Sequence, residues 1–123
     1  MATGPFVVVV DDDESVRESL PDLLREFGFE VQAFSSAESF LASDALRRTN
    51  CLILDVAMPG MSGPDLQKEL TRRQLGIPIV FITAHADESV CPRLLAAGAV
   101  DCLLKPFSET ALVTAVTAAV RAA

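Results

Sequence analysis

The sequence predicts an α/β fold, a doubly wound sandwich in which a five-stranded parallel sheet carries helices on both faces. Three observations point there. Five short apolar runs punctuate the chain, segments with helical spacing separate them, and the runs are continuous instead of alternating with polar residues. Strands alternating with helices call for parallel pairing through right-handed crossovers. Parallel strands are covered on both faces, so VVVV and IVFI need no polar side.

Each element has its own signal. The first apolar run, residues 6–10, is followed by Val16, Leu20, Leu23, Leu24 and Phe27, whose spacing of three and four makes one helical face. Pro21 falls inside that helix, where it removes a hydrogen bond and crowds the carbonyl of Arg17, at a cost of roughly 3 kcal/mol unless the helix bends. A kink is expected there. Residues 29–34 form the second run and residues 37–42 a short second helix. The third run, 51–54, leads to a helix marked by Leu66 and Leu70, opened by Ser62 with Asp65 three residues on, close to a capping box. Residues 78–83 make the fourth strand; Val90, Leu94 and Leu95 mark a helix stopped by Gly98. Residues 100–104 make the fifth strand and 109–121 the last helix. Leu112, Val116 and Ala119 should face the sheet, with Ala111, Thr114, Ala115, Ala118 and Ala122 on the opposite side.

Composition narrows the function. The chain has 123 residues, half of them hydrophobic, with seven Phe and neither Trp nor Tyr, which suits one folded domain over 1–123 with a loose tail at 1–4. A net charge of −7 argues against a nucleic-acid grip, since phosphate binding needs a basic face. No apolar run reaches membrane-spanning length and no signal-peptide pattern opens the chain, so a cytoplasmic location is expected. Cys51, Cys91 and Cys102 are odd in number and lack CxxC spacing, so they are expected as buried free thiols, with neither disulfide nor zinc.

The polar residues are placed where an open parallel sheet binds its ligand, beyond the carboxyl ends of the strands. The first strand ends in Asp11, Asp12 and Asp13, the third in Asp55, the fourth in Thr83, the fifth in Lys105 and Pro106. Crowded carboxylates repel and call for a hard divalent cation. A lysine opposite them pairs with a phosphoryl oxygen and a hydroxyl donates to one. This set suits phosphoryl transfer, and a carboxylate can itself be the nucleophile. Asp residues after a strand also serve as plain helix caps, which suffices for Asp13. The conjunction of four strand ends is what points to chemistry.

The segments VVVVDDDESVR, LILDVAMPGMSGPDL, VFITAH and AGAVDCLLKPF resemble those of response-regulator receiver domains, the CheY-like superfamily, and among them the FixJ-type transcriptional regulators. The resemblance spans residues 6–121. It implies the strand order 2-1-3-4-5, with Asp55 as phosphoacceptor for a sensor histidine kinase. It implies Mg²⁺ (or Mn²⁺ in its place) held by Asp11, Asp12, Asp55 and the backbone carbonyl of Ala57. Thr83 and Lys105 would bind the phosphoryl group, the bond before Pro106 would be cis, and Ala57 and His85 would tune dephosphorylation. Members usually carry Tyr or Phe where this chain has Cys102. That departure leaves the loop after Thr83 and the fourth helix to carry the signal, with Cys102 buried throughout.

The resemblance further implies a switch that is no enzyme in the ordinary sense, with an output in transcription through an effector domain that this chain lacks. A phosphorylation-dependent homodimer through helix 4, strand 5 and helix 5 is expected, with no direct contact to nucleic acid or membrane. A dehalogenase-type phosphatase would need an acid two residues after the nucleophile, where Ala57 stands. An FMN carrier would need a hydroxyl- and glycine-rich loop in place of three carboxylates, and no P-loop is present. The alternative kept open is a standalone or pseudo-receiver interaction module without a phosphorylation cycle.

Overall fold

Why the strands sit where they do follows from their burial. All five residues of β1 (Phe6–Val10), β3 (Cys51–Asp55) and β4 (Ile79–Thr83) are buried, as continuous apolar runs require of strands covered on both faces. In a computed structural model, which describes residues 4–84 and 89–122, these are the three inner strands. β2 (Glu30–Phe34) and β5 (Asp101–Leu104) are the edges. The sheet is parallel throughout, in the order β2-β1-β3-β4-β5. The register sets Val10 beside Leu54, Asp55 beside Ile82 and Thr83 beside Leu104, so the polar strand ends come out together at the carboxyl end of the sheet.

The period of two along each strand divides the core. Val8, Val10, Leu52, Leu54 and Phe81 face α2 (Ala37–Leu41), α3 (Gly63–Arg72) and α4 (Cys91–Ala96), where Phe40, Leu66, Leu70 and Leu94 cover them. Val7, Val9, Ile53, Val80 and Ile82 face α1 (Glu14–Glu26) and α5 (Glu109–Ala122), where Leu20, Leu24, Leu112, Val116 and Ala119 close the other side. Each fully buried Leu or Val contributes roughly 1.5–3 kcal/mol.

The helix ends match the sequence signals. Ser62 accepts from the Asp65 amide while the Asp65 side chain accepts from the Ser62 amide, a closed capping box. Gly98 ends α4 with a φ of 111°, a conformation that costs glycine little. Helix α1 runs on through Pro21, which is buried. The 3₁₀ turn Asp44–Arg47 had no sequence signal, since four residues are too few to display a period. Two expectations need correction. Ala115 is 3% exposed and belongs to the core, because residues 112, 115, 116 and 119 together make the buried face of α5. Of the expected tail, residues 1–3 lie outside the described ones, whereas Gly4 packs so closely on the Gly28 carbonyl that a Cβ would lie 1.7 Å from its oxygen.

Candidate functional site

The site is assembled by strand ends. β1 delivers Asp11, fully buried, and the next residue, Asp12, is exposed. β3 delivers Asp55, 6% exposed, and β4 delivers Thr83, wholly buried. One carboxylate oxygen from each of Asp11, Asp12 and Asp55 lies within 4.8 Å of the others, a donor set that fits one hard divalent cation. Two of these acids are walled off by protein and the third faces solvent, which leaves room for metal-bound water.

Lys105 closes the site from the far side. Its Nζ lies 3.2 Å from Asp11 Oδ2 and 3.7 Å from Asp55 Oδ1. The backbone aims it: the Lys105 amide donates to the Thr83 carbonyl at 2.8 Å, and the following bond to Pro106 is cis. The expected cis bond is therefore present.

Neighbouring groups fix Asp11. Its Oδ1 accepts from the Asp13 amide at 2.9 Å, and its carbonyl accepts from Arg17 Nη1 at 2.9 Å. Asp13 turns away and caps α1, accepting from the Ser15 amide and hydroxyl at 2.9 and 2.8 Å. That cap holds the Asp13 carboxyl below its ordinary range. The capping role expected for it is the one it has.

Burial, and then the nearby Asp11 charge, push the Asp55 carboxyl up to about 7, against the pull of Lys105. A divalent cation held among these acids would favour the ionised form of the carboxylate.

The loop after Asp55 is packed tightly. The Val56 amide donates to the Ile82 carbonyl at 3.1 Å and the Gly63 amide to the Val56 carbonyl at 3.0 Å. A Cβ on Gly63 would lie 2.3 Å from the Asp55 carbonyl oxygen. Gly60 has a φ of 73°, and Glu38 of α2 accepts from the neighbouring Met61 amide at 3.0 Å. Arg17 and Glu38 were not foreseen as supports for the site, because neither lies in a strand-end motif. Ala57 is exposed beside the site. His85 lies outside the described residues. The Thr83 hydroxyl points to the Ala84 carbonyl at 3.3 Å.

The cysteines depart from expectation. Only Cys51 is free and buried, and burial pushes its thiol up to about 12. Cys91 and Cys102 form a disulfide with a Cα–Cα distance of 5.7 Å, and both residues are half-buried. The fold brings them together because α4 packs back on β5, which a separation of 11 residues without a motif did not announce. Cys102 is neither free nor fully buried.

The model of the response regulator receiver domain matches residues 7–117, nearly the whole chain. The chain belongs to that family. Receiver domains are also what its relatives carry. It is 49% identical over 118 residues to Nodulation protein W of Bradyrhizobium diazoefficiens, covering 96% of this chain and 52% of the relative. It is 40% identical over 112 residues to the transcriptional regulatory protein FixJ of Azorhizobium caulinodans, covering 91% of this chain and 53% of that one. Among solved structures, the response regulator StyR superposes with a TM-score of 0.87 at 49% identity, over 98% of this receiver and 61% of StyR. FixJ-N superposes with a TM-score of 0.86 at 37% identity, over 98% and 96%. The receiver spans about half the length of the curated relatives it matches. No described helix is long and apolar enough to cross a membrane.

Proposed function

We propose that this receiver is a phosphoryl switch of a cytoplasmic two-component system, charged on Asp55 by a sensor histidine kinase. The observation that carries the reading is the convergence of Asp11, Asp12 and Lys105 on one nearly buried carboxylate. An Asp55 oxygen attacks the phosphorus of the kinase's phosphohistidine, the P–N bond breaks, and the imidazole nitrogen leaves with the electron pair. Asp11, Asp12, Asp55 and the Ala57 carbonyl would hold Mg²⁺, which neutralises the oxygens of the transferred group when bound. Lys105 pairs with one of those oxygens, and the Thr83 hydroxyl, now turned to Ala84, rotates to donate to another. Pro106 aims the lysine. To Ala57 and His85, two residues past Asp55 and Thr83 in the sequence, we assign the tuning of dephosphorylation.

The output is transcriptional, delivered by a segment beyond the receiver, as the half-length match to FixJ and Nodulation protein W suggests. The pseudo-receiver alternative finds no support in a site that keeps every one of these groups. Intact-mass measurement after acetyl phosphate and Mg²⁺ tests the assignment. One phosphoryl adduct is expected, lost in Asp55→Asn and lost with EDTA. An adduct that persists in Asp55→Asn overturns it.

A further inference from the structure

We propose that Cys91 and Cys102 are a reversible dithiol–disulfide pair that latches the output side of the receiver, so that oxidation weakens its response to phosphorylation. The inference rests on the phosphoryl-switch reading above. It begins from what the bond joins. Cys91 is the first residue of α4, eight residues past Thr83 (83 to 91). Cys102 lies in the middle of β5, three residues before Lys105, and pairs in register with Phe81 of β4. The disulfide therefore joins the helix that follows Thr83 in the sequence to the strand that leads to Lys105.

Among the described residues, few side-chain contacts besides the disulfide hold α4 in place. The helix has six residues, no side-chain N-cap, and a single fully buried side chain, Leu94. Its carbonyl at Leu94 accepts from buried Gln67 Nε2 at a long 3.3 Å. An element so lightly packed can shift at small cost when its bond to β5 is open. With the bond closed, its first residue cannot leave the strand.

The chemistry is reversible and accessible. Both residues are half-buried, within reach of a small thiol or disulfide, unlike Cys51. A glutathione-class disulfide, GSSG, supplies the oxidant. One protein thiol displaces one GSH to give a mixed disulfide, and the second thiol then displaces the other GSH. The two cysteines lose two electrons and two protons, and GSSG becomes two GSH. Disulfides in reducing compartments are commonly transient and redox-sensing, which favours a latch over a fixed staple.

The test uses the whole chain, equilibrated with GSSG or with dithiothreitol, then freed of small thiols. Peptide mapping should find Cys91 joined to Cys102 in the first sample, with Cys51 free in both. Titration with beryllofluoride and Mg²⁺, read by backbone amide NMR shifts, should saturate at about fivefold higher concentration in the oxidised protein. Cys91→Ser should bind like the reduced protein under both treatments. Acetyl phosphate labelling of Asp55 should slow in parallel. Equal saturation in both samples, or GSSG pairing that does not join Cys91 to Cys102, overturns the latch while leaving the phosphoryl switch intact. Absence of labelling in the reduced protein and in Cys91→Ser alike overturns the switch, and the latch with it.

Discussion

Asp55 illustrates how the surroundings of one residue can disfavour its charged form. Burial and the Asp11 charge raise its carboxyl to about 7, so the metal-free fold prefers it protonated. A pKa raised in the folded state works against folding at higher pH: no cost is felt below the unfolded value near 4, and it grows until the pH passes about 7. Asp55→Asn should therefore stabilise the metal-free protein at pH 8 by on the order of 1–2 kcal/mol, allowing for partial access to solvent. The gain should shrink toward zero as the pH falls to about 4. Thermal melts in EDTA across that range check this, and Mg²⁺ should raise the wild-type midpoint while leaving Asp55→Asn nearly unmoved. An Asp55→Asn melting point equal to or below wild type at pH 8 contradicts the account. These site acids were legible in the sequence because each ends a fully apolar run. Arg17 and Glu38, which brace the site by hydrogen bonds to main-chain groups, were not, because such bonds depend on where a helix is docked.

At the scale of elements, the site depends on how closely α3 starts against the end of β3. The Gly63 amide hydrogen-bonds the Val56 carbonyl at 3.0 Å, and its α-carbon sits where any Cβ would meet the Asp55 carbonyl at 2.3 Å and the Phe81 ring at 3.1 Å. Backbone and a buried ring cannot yield easily. Gly63→Ala should cost about 1–3 kcal/mol and slow acetyl phosphate labelling of Asp55 several-fold, since the carbonyl can retreat only by moving the strand that carries Asp55. Urea denaturation and labelling rates measure the two effects; a variant as stable and as fast as wild type would mean that α3 shifts freely. Elements of this kind were readable because their signals are local: runs for strands, the Ser62–Asp65 pair for a helix start, Gly98 for a helix end. The 3₁₀ turn at Asp44–Arg47 and the Cys91–Cys102 bond were not. The first is too short for periodicity, and the second is a consequence of α4 packing on β5. Ala115 was misplaced for a related reason, since alanine carries almost no patterning information and joins whichever face the larger residues leave it.

For the whole molecule, the face made by α4, β5 and α5 combines an edge strand with exposed side chains that are small or apolar. β5 pairs with β4 alone, and all four of its residues are half-exposed. Leu95 of α4 is 43% exposed, and on α5 the exposed positions Thr114 and Ala118 are small. Arg121 is the only charge in α5 after Glu109. Solvated helix faces ordinarily carry more charge than this. Alanine is also the best helix former and tolerates water, so smallness by itself decides nothing. Beside the edge strand, we propose, small side chains on the neighbouring helix let a second copy approach closely in a two-fold contact that uses the same face twice. Because β5 also carries Lys105 at its end, a phosphoryl group on Asp55 would bias that face directly. We expect the reduced receiver to be monomeric without phosphate and to dimerise with beryllofluoride and Mg²⁺, Ala118→Glu weakening the dimer at least roughly tenfold by setting like charges across the axis. Sedimentation equilibrium measures both, with beryllofluoride binding of Ala118→Glu as proof that its site is intact. A reduced, activated receiver that stays monomeric, or a dimer indifferent to Ala118→Glu, places the output elsewhere on the surface.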